Sequence, residues 1–371
     1  MKILITAGLF YPSKLGGPAN TLYWLAKSLV SNNIIVSVVS SNKHIEDGLV
    51  EFNEWTEIDN IRVRYCTVNS KLSLRVIFHS IKELFNNDVI LLSSIFYIPS
   101  FFIALFATLT SKKIIWSPRG ELFNSAINGS KSKLLYIKLL KLLFSKRVIF
   151  HATSTVEKNE IEKHFGSSIR TIVIPNYMEL HEKMDRLENV GKYFLYVGRI
   201  APIKALDNLL LGLAKSDAFM KSDYKLLIAG CIEKQFEGYY NKLNQILSEN
   251  LSLKNKVVFL GNVEGDQKFQ LYADAFYSIL VSHSENFGNV VIEALSQGTP
   301  VIASHGTPWQ DLDKKKAGLW IDNNVDEIAE NIDKVLAMDV EEYQQVRDNA
   351  YKLALNFDVY SNIDKWIKEL K

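Results

Sequence analysis

Two carboxylates separated by seven residues, Glu285 and Glu293, bracket the stretch Asn286-Phe287-Gly288-Asn289-Val290-Val291-Ile292. The longer segment Val281 to Ser304, VSHSENFGNVVIEALSQGTPVIAS, reads as an apolar strand, a polar loop with a glycine, an apolar-faced helix, a Gly-Thr-Pro turn and another strand. That order places Glu285, Phe287, Gly288 and Asn289 at the C-terminal end of a strand, where open α/β sheets bind ligands. A helix starting near Asn289 offers unpaired N–H groups and the positive end of its dipole, which together form an anion site. Gly288 lets the backbone come close to a ligand. A single glutamate near a helix start is explained by the dipole alone. Two of them beside an anion site fit a ligand that also carries hydroxyls, to which carboxylates bind strongly.

Upstream, Tyr193 to Lys204 reads YFLYVGRIAPIK. Here a strand is followed by Gly198 and Arg199, and Lys204 stands just before a helix that begins near Ala205. Arginine grips phosphate with a planar fork and lysine as a point charge, so the two cations are suited to clamp a diphosphate. On an exposed loop such a pair is ordinarily just solvated. Combined with the acidic helix, it describes a ligand with a charged middle and hydroxyl-bearing ends.

The elements that position these residues follow from hydropathy. Short apolar β-rich runs alternate with helical stretches, the pattern of parallel sheets covered by helices on both faces, so the fold class is α/β. In the first half the expected strands are Lys2 to Ala7, Ile34 to Ser40, Arg62 to Cys66, Val89 to Leu92, Lys113 to Trp116 and Val148 to Ala152. The second half restarts with Tyr193 to Val197, Tyr224 to Ala229, Lys256 to Leu260, Phe276 to Val281 and Pro300 to Ala303. Two sheets imply two domains, one over 1–180 and a ligand-gripping one over 190–355, with 356–371 expected to be a helix packing back on the first. The polar run Glu179 to Lys192, ELHEKMDRLENVGK, suits an exposed connection.

The 371 residues, 47% hydrophobic and 23% charged, are those of a water-soluble two-domain protein, and a net charge of +2 excludes a global field for nucleic acid. Cys66 and Cys231 stand far apart with no His cluster near them, consistent with a reducing, cytoplasmic setting and no zinc site. MKILITAGLF ends at Tyr11-Pro12 without a cleavage site and reads as a first strand. Val89 to Ser111 is long enough for a membrane span and carries no charge, but its serines and Pro99 divide it into a strand and a helix from about Pro99 to Leu109.

These motifs resemble the signature of glycosyltransferase family 4, whose GT-B fold has two Rossmann-like domains with parallel sheets facing a central cleft. The family's two glutamates correspond to Glu285 and Glu293, its following helix to Ala294-Leu-Ser-Gln-Gly-Thr-Pro-Val-Ile-Ala303, and its glycine-arginine and lysine to Gly198, Arg199 and Lys204. The first half matches more loosely, at Gly16-Gly17, at His151-Ala-Thr-Ser154 and at Ile174-Pro175-Asn176. Departures are Ala205 after the lysine and Asn286 after the first glutamate, where members commonly have glycine.

The resemblance implies a retaining transferase that moves a hexose from a UDP- or GDP-linked donor. Arg199, Lys204 and Glu285 would be catalytic, and Gly16, Gly17, Gly198, Asn286, Phe287, Gly288, Asn289, Val290 and Glu293 would contact the donor. Fixed cations would stabilise charge gathering on the departing diphosphate. No metal is expected, because no Asp-x-Asp pair follows a strand where it could hold a divalent ion against a diphosphate, and no other cofactor. In Ser117-Pro118-Arg119-Gly120-Glu121, Arg119 and Glu121 are acceptor-side candidates together with His151; the alternative is a local Arg–Glu pair that stabilises the loop. Lys131 to Arg147, leucine-rich, basic and free of acids, suits a helix lying on an anionic membrane, or else a core helix with a solvated basic face. A peripheral place on the inner membrane face would fit a saccharide acceptor linked to polyprenyl diphosphate, as in lipopolysaccharide O-antigen, capsule or exopolysaccharide assembly. Alternative readings are a nucleotide-sugar epimerase, a sugar phosphorylase or a non-catalytic sugar-binding subunit. A dehydrogenase is disfavoured, since AGLFYPSKLGGPAN lacks the spaced glycine fingerprint.

Overall fold

A computed structural model of the chain describes residues 1–13, 17–70, 72–187 and 192–371. The chain forms two compact units, Met1–Glu179 with Asp358–Lys371, and Leu180–Phe357.

In the first unit the strands are β1 (Lys2–Ala7), β2 (Ile35–Ser41), β3 (Trp55–Ile58), β4 (Ile61–Cys66), β5 (Val89–Ser93), β6 (Lys113–Ser117), β7 (Ile149–Ala152) and β8 (Thr171–Val173). They lie in the order β3-β4-β2-β1-β5-β6-β7-β8, parallel except for the β3–β4 hairpin. The helices between them are α1 (Gly17–Ser31), α2 (Leu74–Leu84), α3 (Ile98–Thr108), the single turn α4 (Asn124–Ile127), α5 (Lys131–Phe144) and α6 (Thr155–Phe165). Central strands are buried on both faces, which is why β1 and β5 read as unbroken apolar runs. The expected strands are present within a residue or so at each end. The edge strand β3 was not expected. Its hairpin turns on Asp59 and Asn60, both at positive φ (50° and 62°), as a two-residue turn requires. Of the uncharged stretch 89–111, the first part is β5 and the rest α3; among the described residues no helix is long and apolar enough to cross a membrane.

Helix α5 begins at Ser130, whose side chain accepts from the Lys133 N–H. It buries Ile137, Leu140 and Phe144 against the sheet. Its outward face corrects the expected division into an apolar and a basic side: Leu135 and Leu142 are 70% and 80% exposed among the lysines.

In the second unit β9 (Tyr193–Val197), β10 (Lys225–Ala229), β11 (Val257–Gly261), β12 (Tyr277–Leu280), β13 (Val301–Ser304) and β14 (Gly318–Ile321) form a parallel sheet in the order β11-β10-β9-β12-β13-β14. Its helices are α7 (Leu206–Lys215), α8 (Asp217–Lys221), α9 (Glu237–Glu249), α10 (Leu251–Lys254), α11 (Gly265–Asp274), α12 (Asn289–Ser296), α13 (Asp311–Lys314), α14 (Val325–Leu336) and α15 (Val340–Ala354). One core joins Phe194, Leu209, Leu226, Ile279, Ile302 and Ile328 across sheet and helices. The strand order reverses between β9 and β12, the place where such sheets open a ligand crevice.

The connecting run is not wholly the exposed linker that its polarity implied. The His181 ring stacks on Phe269 at 3.9 Å, the Met184 N–H donates to the Gln297 Oε1 at 2.8 Å, and the Leu187 N–H donates to the Asp274 Oδ1 at 2.8 Å. Side chains of the second unit satisfy this backbone, a pairing that composition does not reveal. The chain then returns to the first unit as α16 (Val359–Leu370), whose Val359, Ile363, Trp366 and Leu370 are buried and which packs on α1.

Candidate functional site

The cations come from the loop after β9 and the carboxylates from the loop and helix after β12, the two strands flanking the order reversal. Gly198, at φ 154°, leads out of β9, and its N–H donates to the Ala229 carbonyl at 2.9 Å. Beside it the loop after β10 comes so near that a Cβ on Gly230 would lie 1.8 Å from the Gly198 oxygen. Only glycine permits that approach. The buried Tyr196 hydroxyl donates to the Arg199 carbonyl at 2.8 Å, fixing the loop from below.

Past Arg199 the chain makes one 3-10 turn over Pro202–Lys204 and ends it on Ala205, a non-glycine residue at φ 51°. The Ile203 carbonyl receives the His283 N–H at 2.8 Å, and the Glu285 N–H donates to the Gly306 carbonyl at 2.8 Å. The first bond stitches the glutamate loop to the lysine turn, and the second ties it to the loop after β13. Lys204 and Glu285 therefore meet in a direct ion pair, their side chains 14% and 15% exposed, and the Ser282 hydroxyl donates to the same carboxylate oxygen at 3.3 Å.

Arg199 lies apart from that pair. Its guanidinium, about half exposed, pairs with Glu233 at 3.1 Å. Glu293 sits in the second turn of α12, nearly buried, with Lys268 at 2.9 Å on one oxygen and the Tyr272 hydroxyl at 3.3 Å on the other. Burial, with the Glu293 carboxylate beside it, pushes the Tyr272 phenol up, so it stays a hydrogen-bond donor. The sequence reading missed Glu233 and Lys268. Neither lies in the two motifs, and only the loop after β10 and helix α11 bring them there.

Gly288 takes φ 83° as the residue before α12, and a Cβ there would stand 3.0 Å from Leu280. Asn286, Asn289 and Val290 are half-buried around this turn, and the first N–H groups of α12 lie in it. The Phe287 side chain is placed differently from a donor contact. Its ring is buried against Trp309 and Phe357, and its carbonyl accepts from the Trp309 indole, so it anchors the loop. Gly17 is the exposed first residue of α1, while Gly16 lies outside the described residues.

Of the three acceptor-side candidates of the first unit, His151 is buried and Arg119 and Glu121 are half-buried, each bonded within the unit. Glu121 accepts from the Ser94 hydroxyl at 2.6 Å and from the Ile95 and Phe96 N–H groups at 2.5 and 2.9 Å; burial raises its pKa. The carboxylate thus closes the loop after β5, and the alternative, an Arg119–Glu121 pair, does not form. Arg119, at φ 59°, instead donates to the Asn176 side chain at 3.2 Å, and burial lowers its pKa to about 10. His151 lies between the Ser117 hydroxyl (2.7 Å) and the Ile174 carbonyl (2.8 Å), its ring 4.6 Å from that of Trp366. The carbonyl can only accept, which assigns the proton to Nε2 and makes Nδ1 the acceptor for Ser117. Burial, then Arg119, lowers the imidazole to about 3. A cavity that it lines with Arg119, Asn176 and Trp366 is about 10 Å³, room for about one water. Glu157, which the sequence reading passed over, is the buried carboxylate that accepts from the Gly120 and Thr153 N–H groups and holds the Arg119 turn.

Among the described residues no group of three or more His, Cys, Asp or Glu side chains is gathered as metal ligands would be. What the second unit can do chemically is bind an anion between cations and hold hydroxyls on two carboxylates, each already fixed in orientation by a partner.

Residues 178–353 match the family model of the glycosyl transferases group 1. The chain is 32% identical over 163 residues to an uncharacterized glycosyltransferase of Methanocaldococcus jannaschii, 42% of this chain and 40% of that one. It is 32% identical over 147 residues to the D-inositol 3-phosphate glycosyltransferase of Mycolicibacterium smegmatis, 39% of this chain and 32% of that one. The match thus spans less than two thirds of these relatives. Among solved structures, the Anabaena protein HepE in complex with UDP and glucose superposes with a TM-score of 0.78 at 20% identity, covering 100% of this chain and 98% of that one. Sucrose-phosphate synthase from Thermosynechococcus elongatus does so with 0.79 at 16% identity, with the same coverages.

Proposed function

From a chain whose residues 178–353 match the glycosyl transferases group 1 and whose fold is GT-B along its length, we propose a retaining, metal-independent enzyme. It moves a hexose from a nucleotide diphosphate to a saccharide acceptor. A single observation carries this reading: Lys204 and Glu285, from the loops after β9 and β12, meet at the order reversal of the second sheet. The Lys204 ammonium has three donors, so it can keep Glu285 and still hold a phosphate oxygen. Arg199, paired only at the surface with Glu233, can turn its fork to the diphosphate at little cost.

As the bond between sugar and phosphate breaks, negative charge builds on the departing diphosphate. The two cations and the N–H groups at the start of α12 stabilise that charge more than the ground state, which is what accelerates the step. Glu285 holds the sugar hydroxyls and Glu293 the ribose. A donor phosphate oxygen takes the acceptor's proton, so no protein base is required. The UDP form of the donor is supported by the fold's likeness to HepE, solved with UDP-glucose. The acceptor is proposed to be lipid-linked and met at the inner face of the cytoplasmic membrane through residues 131–147, in surface-polysaccharide assembly.

A thermal-shift panel of nucleotide diphosphates and nucleotide sugars tests the donor half. A ligand at about 100 times its Kd stabilises by about 2.7 kcal/mol, a shift of a few degrees. A flat response to every nucleotide would sink the reading. Release of nucleoside diphosphate only when an acceptor is present separates a transferase from an epimerase.

A further inference from the structure

The outward positions of α5 run Lys131, Leu135, Lys138, Leu142, one face of the helix at three- and four-residue steps. A solvated face would carry only the lysines. Next to it α3 ends with Phe106 and Leu109 exposed, the latter 79%. The two helices are joined there by Arg147, which donates to the carbonyls of Thr108 and Thr110 at 2.8 Å each.

Beside this ridge lies a cavity of about 600 Å³ walled by Lys113, Lys141, Lys146, Arg147 and Arg170. Arg170 pairs with Glu369 at 3.8 Å, and the Lys113 ammonium donates to the Glu369 carbonyl at 2.9 Å. Among the described residues no carboxylate pairs with Lys141, Lys146 or Arg147. Between Asp88 and Glu157 the only acidic residue is Glu121, half-buried and bonded to Ser94, Ile95 and Phe96. With a net charge of only +2, the positive charge is thus concentrated here. The cavity opens at the N-terminal ends of β6 and β7 and just before β8, away from the C-terminal ends where such sheets bind substrates.

We propose that this face docks the protein on an anionic lipid bilayer, the leucines entering the interface and the five-cation cavity taking a lipid phosphate headgroup. This rests on the membrane reading of residues 131–147 and gives it a headgroup site. Apolar side chains interspersed with cations match a bilayer that is apolar beneath a negative surface. A second copy of the chain would bring like charges together, and a soluble anion would leave the leucines without a role.

The test is co-sedimentation of the full chain with phosphatidylcholine vesicles, with and without phosphatidylglycerol. Beside the wild type stand two variants at exposed positions, Lys141→Gln/Lys146→Gln and Leu135→Ser/Leu142→Ser. Wild type should partition onto the anionic vesicles only. Each lysine near such a surface contributes about fivefold, so the first variant should bind about thirtyfold more weakly. The leucine variant should also lose binding, and inorganic phosphate at constant ionic strength should release nothing. Equal partitioning onto both vesicle types, or variants that bind like wild type, overturns the proposal. Release by inorganic phosphate would make the cavity a soluble-anion site and overturn it too. The nucleotide thermal shift, run on the same proteins, should be unchanged in both variants; its absence from all three would instead condemn the donor reading while leaving the lipid result standing.

Discussion

Arg199 and Lys204 are held in different ways, and the difference can be measured. The Arg199–Glu233 pair is about half exposed on the arginine side, and such pairs contribute at most about 1 kcal/mol to stability. Arg199→Ala should therefore leave the melting temperature nearly unchanged while lowering kcat about 10²- to 10³-fold, the effect of removing one transition-state donor. Lys204 and Glu285 are mostly covered, so Lys204→Ala also strands a carboxylate and should lower the melting temperature. In Lys204→Met/Glu285→Gln the stranded charge is gone; stability should recover and activity should not. Turnover within a few-fold of wild type in both single variants would end the clamp hypothesis. The sequence made Arg199, Lys204, Glu285 and Glu293 legible because their types and spacing are local. Their partners Glu233 and Lys268 were not, since pairing across separate loops and helices is set by the fold. The same limit hid the bonds that hold Glu121 and His151: a polar residue at a strand end looks alike whether it faces a ligand or fastens a loop.

At the scale of elements, periodicity revealed the parallel strands, whose apolar runs follow from burial on both faces. It missed β3, β8 and β14, which are short and lie at or near sheet edges, where little apolar pattern is needed. The loops carry the site, and one close approach sets their spacing. Gly230→Ala would place a carbon 1.8 Å from the Gly198 oxygen, so the loop bearing Arg199 must move. We expect about 1–3 kcal/mol of destabilisation together with weaker nucleotide binding, read by melting and by a UDP isotherm. Unchanged affinity would mean that the Arg199 loop does not hold the nucleotide. The first unit has a titrating element of its own at the end of β7. Burial keeps the His151 imidazole at about 3 against an ordinary 6.5, so below pH 6.5 the unfolded chain takes up a proton that the folded one refuses. Stability from this group is therefore complete above pH 6.5 and is lost as pH falls toward 3, by roughly 2 kcal/mol at pH 5. The buried carboxylates Glu121 and Glu157, raised above 4.5, act with the opposite sign. Subtracting the stability curve of His151→Gln isolates the histidine; a difference that stays flat from pH 7 to pH 5 would contradict the assignment.

For the whole molecule, the unit that carries Arg199, Lys204, Glu285 and Glu293 is not the unit that holds the last residues, 358–371. After the second sheet and its helices, residues from Asp358 onward rejoin the first unit. Helix α16 lays Val359, Ile363, Trp366 and Leu370 against it, with Trp366 beside the His151 ring and α1 as its packing partner. The amphipathic spacing of those four residues was legible in the sequence, and their return to the first unit was expected too, although no local pattern encodes the chain reversal that brings it about. Each unit has its own apolar core, one built around β1, β5 and β6, the other around β9, β10 and β12. Damage to α16 should therefore fall on one core and not on the other. Trp366→Ala, which empties a nearly filled position, should cost about 3–5 kcal/mol in the first unit. Calorimetry should then show a low-temperature transition that UDP does not move and a later one that it raises. Because the side chains proposed to hold the nucleotide, Arg199, Lys204, Glu285 and Glu293, lie in the other unit, the UDP isotherm of the folded variant should match wild type. A variant that loses UDP affinity in proportion to its loss of stability would show instead that the two cores fold as one, and that the terminal helix supports the donor site as well as the unit it packs on.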